Sequence, residues 1–253
     1  MKDYFDLTGK VALVIGASSG LGRQFAKALA NQGAQVAVAA RRVEKLEITK
    51  NQVEEMGGTC IAVPCDVTDE QSIKDCIKTV VDHFGKIDIL CNNAGIIVWG
   101  GILESTTEGW DRAMSTNVRG AYIASREAAK YMIEQGSGRI INTASIAAHG
   151  GEAGSPSYYA SKAAIGNLTR ALACDLSPSG ITVNAIAPGV FETELTEGSL
   201  DSPMAIEQKK GLPVRRFGNE GELDGILIYL ASDSSDFCTG QVIFVDGGQT
   251  CKM

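Results

Sequence analysis

The chain has 253 residues, a hydrophobic content of 44% and a formal net charge of −7 at pH 7. This length suits one large α/β domain over residues 1–253. The acidic balance argues against a nucleic-acid partner, and two histidines without clustered carboxylates argue against a metal site.

The chain also lacks the sequence features of membrane and secreted proteins. No apolar run reaches the ~20 residues that a membrane-spanning helix needs, so no membrane partner is expected. The N-terminus has no long apolar core and two early acids, which argues against a secretory signal. The seven cysteines are scattered and form no C-x-x-C pair. These features predict a cytoplasmic protein with free thiols.

The first predicted elements are a short buried strand at 11–15, glycines at 16, 20 and 22, and a helix near 20–31. Strand, glycine turn and helix are the context that a dinucleotide phosphate site needs. The turn lets the backbone approach the pyrophosphate, and the helix N-terminus offers free N–H groups. Because the spacing G-x-x-x-G-x-G differs from the commoner G-x-G-x-x-G, a plain glycine turn remains an alternative.

Strand and helix patterns then alternate to the end of the chain. Further apolar runs occur at 35–40, 60–64, 87–91, 139–143, 181–187 and 242–245, and helical patterns near 43–56, 69–84, 107–134, 157–176 and 220–231. Each crossover is long enough for a helix, which predicts parallel strands with helices on both faces. We expect a single-domain, Rossmann-type α/β fold with a doubly wound sheet of about seven strands. Its ligands should bind beyond the carboxyl ends of the strands.

The most informative pair of residues is Tyr158 and Lys162, in the stretch Y-Y-A-S-K. On a helix, positions i and i+4 share one face, so the phenol and the ammonium should lie close together. A free phenol has a pKa near ~10, and a nearby cation favours the phenolate and lowers that value. The pair therefore predicts proton transfer to and from an alcohol or carbonyl oxygen.

Several further motifs follow one another along the chain. They are N-N-A-G at 92–95, Asn117 in S-T-N-V-R-G, Ser145 thirteen residues before Tyr158, Pro188-Gly189, Thr193, and V-D-G-G at 245–248. Together with the glycine turn they resemble the short-chain dehydrogenase/reductase family over nearly the whole chain. One departure is Ile15, which stands where the family commonly has threonine before the first glycine.

The resemblance implies an enzyme, with Asn117, Ser145, Tyr158 and Lys162 as its catalytic residues. Tyr158 would be the general acid/base, and Lys162 would lower its pKa and bind the nicotinamide ribose. Ser145 would donate a hydrogen bond to the substrate oxygen, and Asn117 would hold a water that links Lys162 to solvent.

The resemblance also implies a nicotinamide dinucleotide, and the end of the second strand favours NADP(H). Ala40 stands where NAD enzymes of the family usually carry an acid, and Arg41 follows it. A guanidinium attracts the 2′-phosphate of NADP, whereas a carboxylate repels it. Arg42 would stack on the adenine, or both arginines would be a solvated helix start. The expected cofactor-binding residues are Gly16, Ser18, Ser19, Gly20, Leu21, Arg41, Arg42, Asp66, Val67, Asn93, Ala94, Gly95, Tyr158, Lys162, Pro188, Gly189, Val190 and Thr193.

The substrate site is the least determined part of the sequence. Residues 190–217 form a long irregular stretch, which the resemblance identifies as a substrate lid and which is otherwise a plain surface excursion. Trp99, His149, Glu152 and Phe191 are the expected substrate-binding residues. Much of the expected lining is apolar, which favours a hydroxysteroid-like or other apolar small molecule.

Other functions remain open. One is a sugar-acid (gluconate-type) dehydrogenase, with Arg215 or Arg216 binding the substrate carboxylate. A second is a 3-oxoacyl-carrier-protein reductase. A third, of another class, is a non-catalytic NADP-binding regulator, although such proteins commonly lose the tyrosine or the lysine. Family members are mostly tetramers or dimers, so a homotetramer or homodimer is expected, paired through the helices near 107–134 and 157–176.

Overall fold

The structure is a computed structural model and describes residues 4–191 and 202–252. Within these residues, seven parallel strands form one sheet in the order β3-β2-β1-β4-β5-β6-β7. The strands are β1 (Val11–Ile15), β2 (Gln35–Ala40), β3 (Cys60–Pro64), β4 (Ile89–Asn92), β5 (Gly138–Thr143), β6 (Ile181–Pro188) and β7 (Val242–Val245). The predicted parallel sheet of about seven strands is confirmed.

Helices cover both faces of this sheet. They are α1 (Gly20–Asn31), α2 (Val43–Glu55), α3 (Glu70–Phe84), α4 (Thr107–Met114), α5 (Gly120–Gln135), α6 (Pro156–Leu176), α7 (Pro203–Gly211) and α8 (Asp224–Ala231). Successive side chains of a strand point to opposite faces. In β1, Ala12 and Val14 pack with α1, α2 and α8, whereas Leu13 and Ile15 pack with α3 and α5. The fold is therefore doubly wound, as predicted.

The strand order reverses at β1, which lies between β2 and β4. The register pairs Ile15 with Asn92, so Gly16 and Asn93 come next to each other at the carboxyl edge. A Cβ built on Gly16, whose φ is +86°, would lie 2.6 Å from the Ala94 nitrogen. Because only glycine tolerates both this backbone conformation and this close approach, the glycine turn packs directly on the N-N-A-G segment. This crevice is where ligands of such sheets bind.

A chain of buried polar side chains fixes β4 and β5 against the helices. Asn92 Nδ2 donates to Asn142 Oδ1 at 2.9 Å and to Ser125 Oγ at 3.0 Å, and Asn142 Nδ2 donates to Thr169 Oγ1 at 2.9 Å. All four side chains are buried, where a partnered hydrogen bond is strong and an unpaired group is costly. These side-chain hydrogen bonds thus set the position of α6 relative to the carboxyl edge of the sheet.

The long helix expected near 107–134 is not continuous. α4 ends at Met114, a π-helical turn follows at Ser115–Arg119, and α5 begins at Gly120. The π turn contains Asn117, which is buried. Such turns occur frequently at functional sites, because they re-aim one residue without ending the helix.

Three further features bear on the expectations from the sequence. None of the helices among the described residues has both the length and the apolar character to cross a membrane. Over the same ranges, no cluster of three or more histidine, cysteine or carboxylate side chains could hold a metal ion. All seven cysteines are free thiols, and four of them are buried.

Gly22 provides a test of the packing that shapes the turn. A Cβ on Gly22 would overlap the Gly16 carbonyl oxygen and lie 2.7 Å from Asn93 Nδ2. We expect Gly22→Ala to lower the free energy of unfolding by about 1–3 kcal/mol, the usual cost of overpacking. Gly225→Ala is the matched control, since a Cβ there has nothing within 4 Å and Gly225 also lies in a helix. The control should raise the same free energy by about 1 kcal/mol. Urea denaturation measures both, and a stabilised Gly22→Ala variant would contradict this packing.

Candidate active site

Tyr158 and Lys162 lie one turn apart on α6. The helix begins with Pro156, and its N-cap residue Ser155 donates to the Val98 carbonyl at 2.8 Å. This bond joins the start of α6 to the segment that follows N-N-A-G. Lys162 Nζ lies 5.7 Å from the centroid of the Tyr158 ring. The structure therefore brings the two residues together, as the i, i+4 spacing indicates.

The amine of Lys162 is buried, with 5% of the residue exposed. It donates to the carbonyl oxygen of Thr143 at 2.8 Å. Burial lowers the pKa of Lys162 to about 8, since a low-dielectric environment disfavours the charged form. A Cβ on Gly95 would lie 3.5 Å from this amine, so glycine leaves room beside it. Lys162 can therefore gain or lose a proton close to neutral pH.

Tyr158 is hydrogen bonded to Ser145 and partly buried. Burial raises the pKa of the Tyr158 phenol, and the bond to Ser145 offsets part of that rise. This differs from the expectation that the lysine cation lowers the pKa. The reason is that desolvation is the larger influence on the phenol, while the lysine amine is bound to Thr143. A raised pKa keeps Tyr158 protonated at neutral pH, which suits a proton donor.

Ser145 lies at the end of β5 and begins a short 3-10 turn. Its Oγ accepts a hydrogen bond from the Ala147 nitrogen at 3.2 Å. This contact holds the hydroxyl near Tyr158 and leaves its hydrogen able to donate to an oxygen between the two side chains.

The side chain of Asn117 is fully engaged. Its Oδ1 accepts from the Ile96 nitrogen at 2.8 Å, and its Nδ2 donates to the Ile96 carbonyl at 3.0 Å and to Ser161 Oγ at 2.9 Å. Both amide hydrogens thus have acceptors. The side chain joins the segment after N-N-A-G to α6, and the water expected at Asn117 would have to bind its main-chain carbonyl.

A hydrogen-bonded path links the glycine turn to the lysine. Asn93 Nδ2 donates to the Gly16 carbonyl at 3.2 Å, and Thr143 Oγ1 donates to Asn93 Oδ1 at 3.1 Å. The carbonyl of the same Thr143 accepts from Lys162. Sequence analysis missed Thr143. The signal was available in the parallel pairing of β4 and β5, which pairs Asn92 with Asn142 and so sets Asn93 beside Thr143.

Positive charge lies beside the glycine turn. Arg42 donates to Ser18 Oγ at 3.0 Å and to Ser19 Oγ at 3.2 Å, and Arg41 is exposed. Arg23, which sequence analysis also missed, donates to the Ser18 carbonyl at 2.7 Å. Leu21 follows Gly20 at the start of α1. A turn of small residues, a helix N-terminus and the guanidinium groups of Arg41 and Arg42 fit the phosphates of a dinucleotide. The stacking of Arg42 on adenine stays a prediction.

Asp66 and Val67 follow β3 at the same edge. Asp66 Oδ1 accepts from the Thr68 nitrogen at 2.9 Å and from Thr68 Oγ1 at 2.7 Å. Burial alone would raise the pKa of Asp66, but the Thr68 hydrogen bonds and the Arg41 charge outweigh it and lower the pKa. Val67 packs against Gly120, where a Cβ would lie 2.8 Å from the valine Cβ. Both residues are thus fixed beside the expected adenine site.

The segment after β6 lies next to the end of β7. Pro188 ends β6, and the Gly189 nitrogen donates to the Val245 carbonyl at 3.0 Å. Val190 packs against the cluster of Ala205, Leu212 and Phe217. The expected cofactor residue Thr193 and most of the expected lid, residues 192–201, lie outside the described residues. The later part of the lid contains α7.

The four expected substrate residues do not form one surface. Trp99 is 75% exposed, and His149 and Glu152 are also exposed. Phe191 differs from the prediction, because it is 5% exposed and belongs to the main hydrophobic core. Its ring packs directly on Gly218, where a Cβ would overlap it. Phe191 is therefore committed to packing and is not available to line a substrate pocket.

Comparison with known proteins gives a consistent result. A family model described as Enoyl-(Acyl carrier protein) reductase matches residues 16–250. Gluconate 5-dehydrogenase of Gluconobacter oxydans (strain 621H) is 38% identical over 252 residues, which are 99% of this chain and 98% of that protein. The 3-oxoacyl-[acyl-carrier-protein] reductase FabG of Staphylococcus aureus (strain Mu50) is 37% identical over 94% of this chain and 97% of its own.

Solved structures agree over almost the full length. A short-chain type dehydrogenase/reductase from Mycobacterium marinum has a TM-score of 0.94 and 40% identity, covering 98% of each chain. A gluconate 5-dehydrogenase from Burkholderia cenocepacia J2315, solved with NADP and tartrate, has a TM-score of 0.94 and 34% identity, also covering 98% of each chain. With these matches and the motifs above, the chain belongs to the short-chain dehydrogenase/reductase family.

Proposed function

We propose that this protein is an NADP(H)-dependent oxidoreductase that interconverts a secondary alcohol and a ketone, with Tyr158 as general acid/base. The observation that carries the proposal is the Tyr158 phenol hydrogen bonded to Ser145, one helical turn from the buried amine of Lys162. The arrangement lies at the carboxyl edge of the sheet, next to the glycine turn. Proton donor, oxyanion donor and cofactor turn therefore share one crevice.

The cofactor would lie along this edge. The turn at 16–22 would bind its pyrophosphate, Arg41 and Arg42 its 2′-phosphate, and the lysine its nicotinamide ribose. When bound, the nicotinamide supplies or accepts the hydride. The two guanidinium groups favour NADP(H), and the related structure from Burkholderia cenocepacia was solved with NADP.

The protein's own groups would handle the proton. Tyr158, kept protonated by its raised pKa, would donate its proton to the substrate oxygen during reduction. The Ser145 hydroxyl would donate a hydrogen bond to the same oxygen as negative charge develops there. Lys162, with a pKa of about 8, would favour the tyrosinate that results and help to return its proton. These directions suit ketone reduction more readily than alcohol oxidation.

The names of the relatives support two substrate classes better than the hydroxysteroid-like substrate that the sequence favoured. One is a sugar acid, as in gluconate 5-dehydrogenase, and the other is a 3-oxoacyl thioester, as in FabG. Both reactions interconvert a secondary alcohol and a ketone, so the proposed mechanism serves either. The lid over 190–217, the homotetramer or homodimer and the cytoplasmic location stay predictions.

The Tyr158→Phe variant tests the proposed reaction. Removing the phenolic proton should lower kcat/KM for ketone reduction by at least about 100-fold, the usual contribution of general acid–base catalysis. The dissociation constant of NADPH should stay within about twofold, because the ring and its packing are kept. Stopped-flow absorbance of NADPH measures turnover, and its fluorescence measures binding. Tyr131→Phe, on α5, is the control and should retain full activity. Undiminished turnover in Tyr158→Phe would exclude the proposed acid and support a non-catalytic binding role.

Thr143→Val tests the path from the glycine turn to the lysine. Valine keeps the shape of the side chain but cannot donate to Asn93 Oδ1. We expect the KM for NADPH to rise roughly fivefold, which corresponds to the ~1 kcal/mol of one hydrogen bond. The alkaline limb of the pH–kcat profile for reduction should also move to lower pH, because the Thr143 carbonyl accepts a hydrogen bond from the Lys162 amine and favours its charged form. Thr143→Ser restores the hydroxyl and should restore both values. Equal impairment of the serine and valine variants would mean that packing alone matters at this position.

Arg41→Asp tests the choice of cofactor. The carboxylate should repel the 2′-phosphate, so the ratio of kcat/KM for NADPH over NADH should fall by at least about tenfold. Steady-state assays with both cofactors give this ratio directly, and turnover with NADH serves as the internal control for folding. An unchanged ratio would remove Arg41 from cofactor recognition.

A further inference from the structure

Two loops, residues 97–105 and 149–155, lie beside the start of α6, the helix that carries Tyr158, and we call them the rim. Two hydrogen bonds join them. The Gly100 nitrogen donates to the Gly154 carbonyl at 2.8 Å, and Ser155 Oγ donates to the Val98 carbonyl at 2.8 Å. Since Ser155 is also the N-cap residue of α6, the rim is fixed relative to the catalytic tyrosine.

Glu152, on the rim, is held beside the catalytic residues by Tyr159. The Tyr159 hydroxyl is hydrogen bonded to the Glu152 carboxylate, and the Tyr159 ring packs edge-to-face against the Tyr158 ring with 6.2 Å between centroids. Burial and then the Glu152 charge raise the pKa of Tyr159 to about 12, so its hydroxyl remains a donor to the carboxylate. The negative charge of Glu152 therefore lies beside Tyr159, the residue that follows the proposed proton donor in the sequence and packs against its ring.

No lysine or arginine of the rim offsets this charge, because residues 97–105 and 149–155 contain none. The expected lid, residues 190–217, has four cations in its later part, at 207–216, and three of them are engaged. Lys210 pairs with Glu207 at 3.1 Å, Arg216 forms a two-pronged ion pair with Glu222, and Lys209 lies 4.9 Å above the Phe217 ring. The fourth is Arg215, which is exposed. Residues 192–201, outside the described residues, contribute no lysine or arginine to the sequence.

We propose that Glu152 is a specificity-determining residue that makes this site select uncharged carbonyl substrates over carboxylates. The proposal rests on the proposed ketone–alcohol chemistry and adds to it the charge of the substrate. The exposed apolar side chains of the same rim, Trp99, Ile102 and Leu103, favour an uncharged substrate for the same reason. Among the substrate classes of the relatives, a 3-oxoacyl thioester is uncharged near its ketone, whereas a sugar acid is an anion.

The size of the effect follows from Coulomb's law. Two unit charges on the order of 10 Å apart near a protein surface interact strongly enough to change a rate constant by about two- to tenfold. The interaction is largely screened once the Debye length falls well below the separation; the Debye length equals about 10 Å at about 0.1 M salt and is less than half of that at about 0.5 M. Selection by Glu152 should therefore depend on salt, whereas selection by shape should not.

The test compares kcat/KM for acetoacetate and methyl acetoacetate, which share the 3-oxo group and differ by one negative charge. Wild type should prefer the ester. Glu152→Gln should raise kcat/KM for acetoacetate by about two- to tenfold at low salt, with little effect at about 0.5 M, and leave the ester within about twofold. Tyr159→Phe removes the hydroxyl that binds the Glu152 carboxylate, and it should raise the ratio of kcat/KM for acetoacetate over methyl acetoacetate by less than Glu152→Gln does. Glu134→Gln, an exposed glutamate on α5, is the matched control and should change neither value.

Three results would overturn the proposal. The first is that Glu152→Gln leaves the ratio of kcat/KM for acetoacetate over methyl acetoacetate unchanged. The second is that Glu134→Gln changes this ratio by the same amount. The third is that Arg215→Gln selectively loses turnover of acetoacetate, which would place an anion site at Arg215. If the enzyme reduces neither ketone, that result contradicts the proposed function but does not contradict the charge selection. In that case, calorimetry of D-gluconate and D-glucitol with the NADP⁺-bound protein tests the selection directly. Glucitol should bind more tightly, and Glu152→Gln should narrow the difference.

Discussion

The arrangement at the carboxyl edge depends on the burial of the Lys162 amine. Taking an ammonium out of water is costly unless hydrogen bonds replace its hydration. Here the Thr143 carbonyl supplies one bond, and Gly95, which has no side chain, leaves room beside the amine. The cost appears as a lowered lysine pKa, which makes the lysine useful near neutral pH. The same dehydrated surroundings raise the pKa of Tyr158 and keep it a donor.

The pairing of the parallel strands holds this amine in place. Parallel pairing brings Gly16, Asn93 and Thr143 to neighbouring positions, and their hydrogen bonds connect the turn to the lysine. Behind them, the buried side-chain hydrogen bonds that link Asn92, Asn142 and Thr169 fix α6 against β5. Each of these polar groups has a partner, so the network is rigid and costs little. A rigid support is what a site needs when a small displacement of the proton donor would slow the reaction.

Much of this was predictable from the sequence because it follows from periodicity and register. Alternating patterns predicted the doubly wound sheet, and the i, i+4 spacing predicted that Tyr158 and Lys162 meet. The π turn at Asn117 was not predictable, since it depends on contacts of that side chain with Ile96 and Ser161. Phe191 was placed in the substrate site, but its burial depends on the distant Gly218. The direction of the Tyr158 pKa shift was wrong because sequence spacing carries no information about desolvation.

The central claim is that Lys162 is a buried amine whose pKa is far below that of a lysine in water. Nitrogen-15 NMR titration of the lysine side chains, with Lys162 assigned by its absence in Lys162→Arg, measures this pKa directly. The account predicts a midpoint near 8 for Lys162. A midpoint at the ordinary value of about 10.4 would contradict it, because the amine would then have to be solvated and free of the constraint on which the site depends.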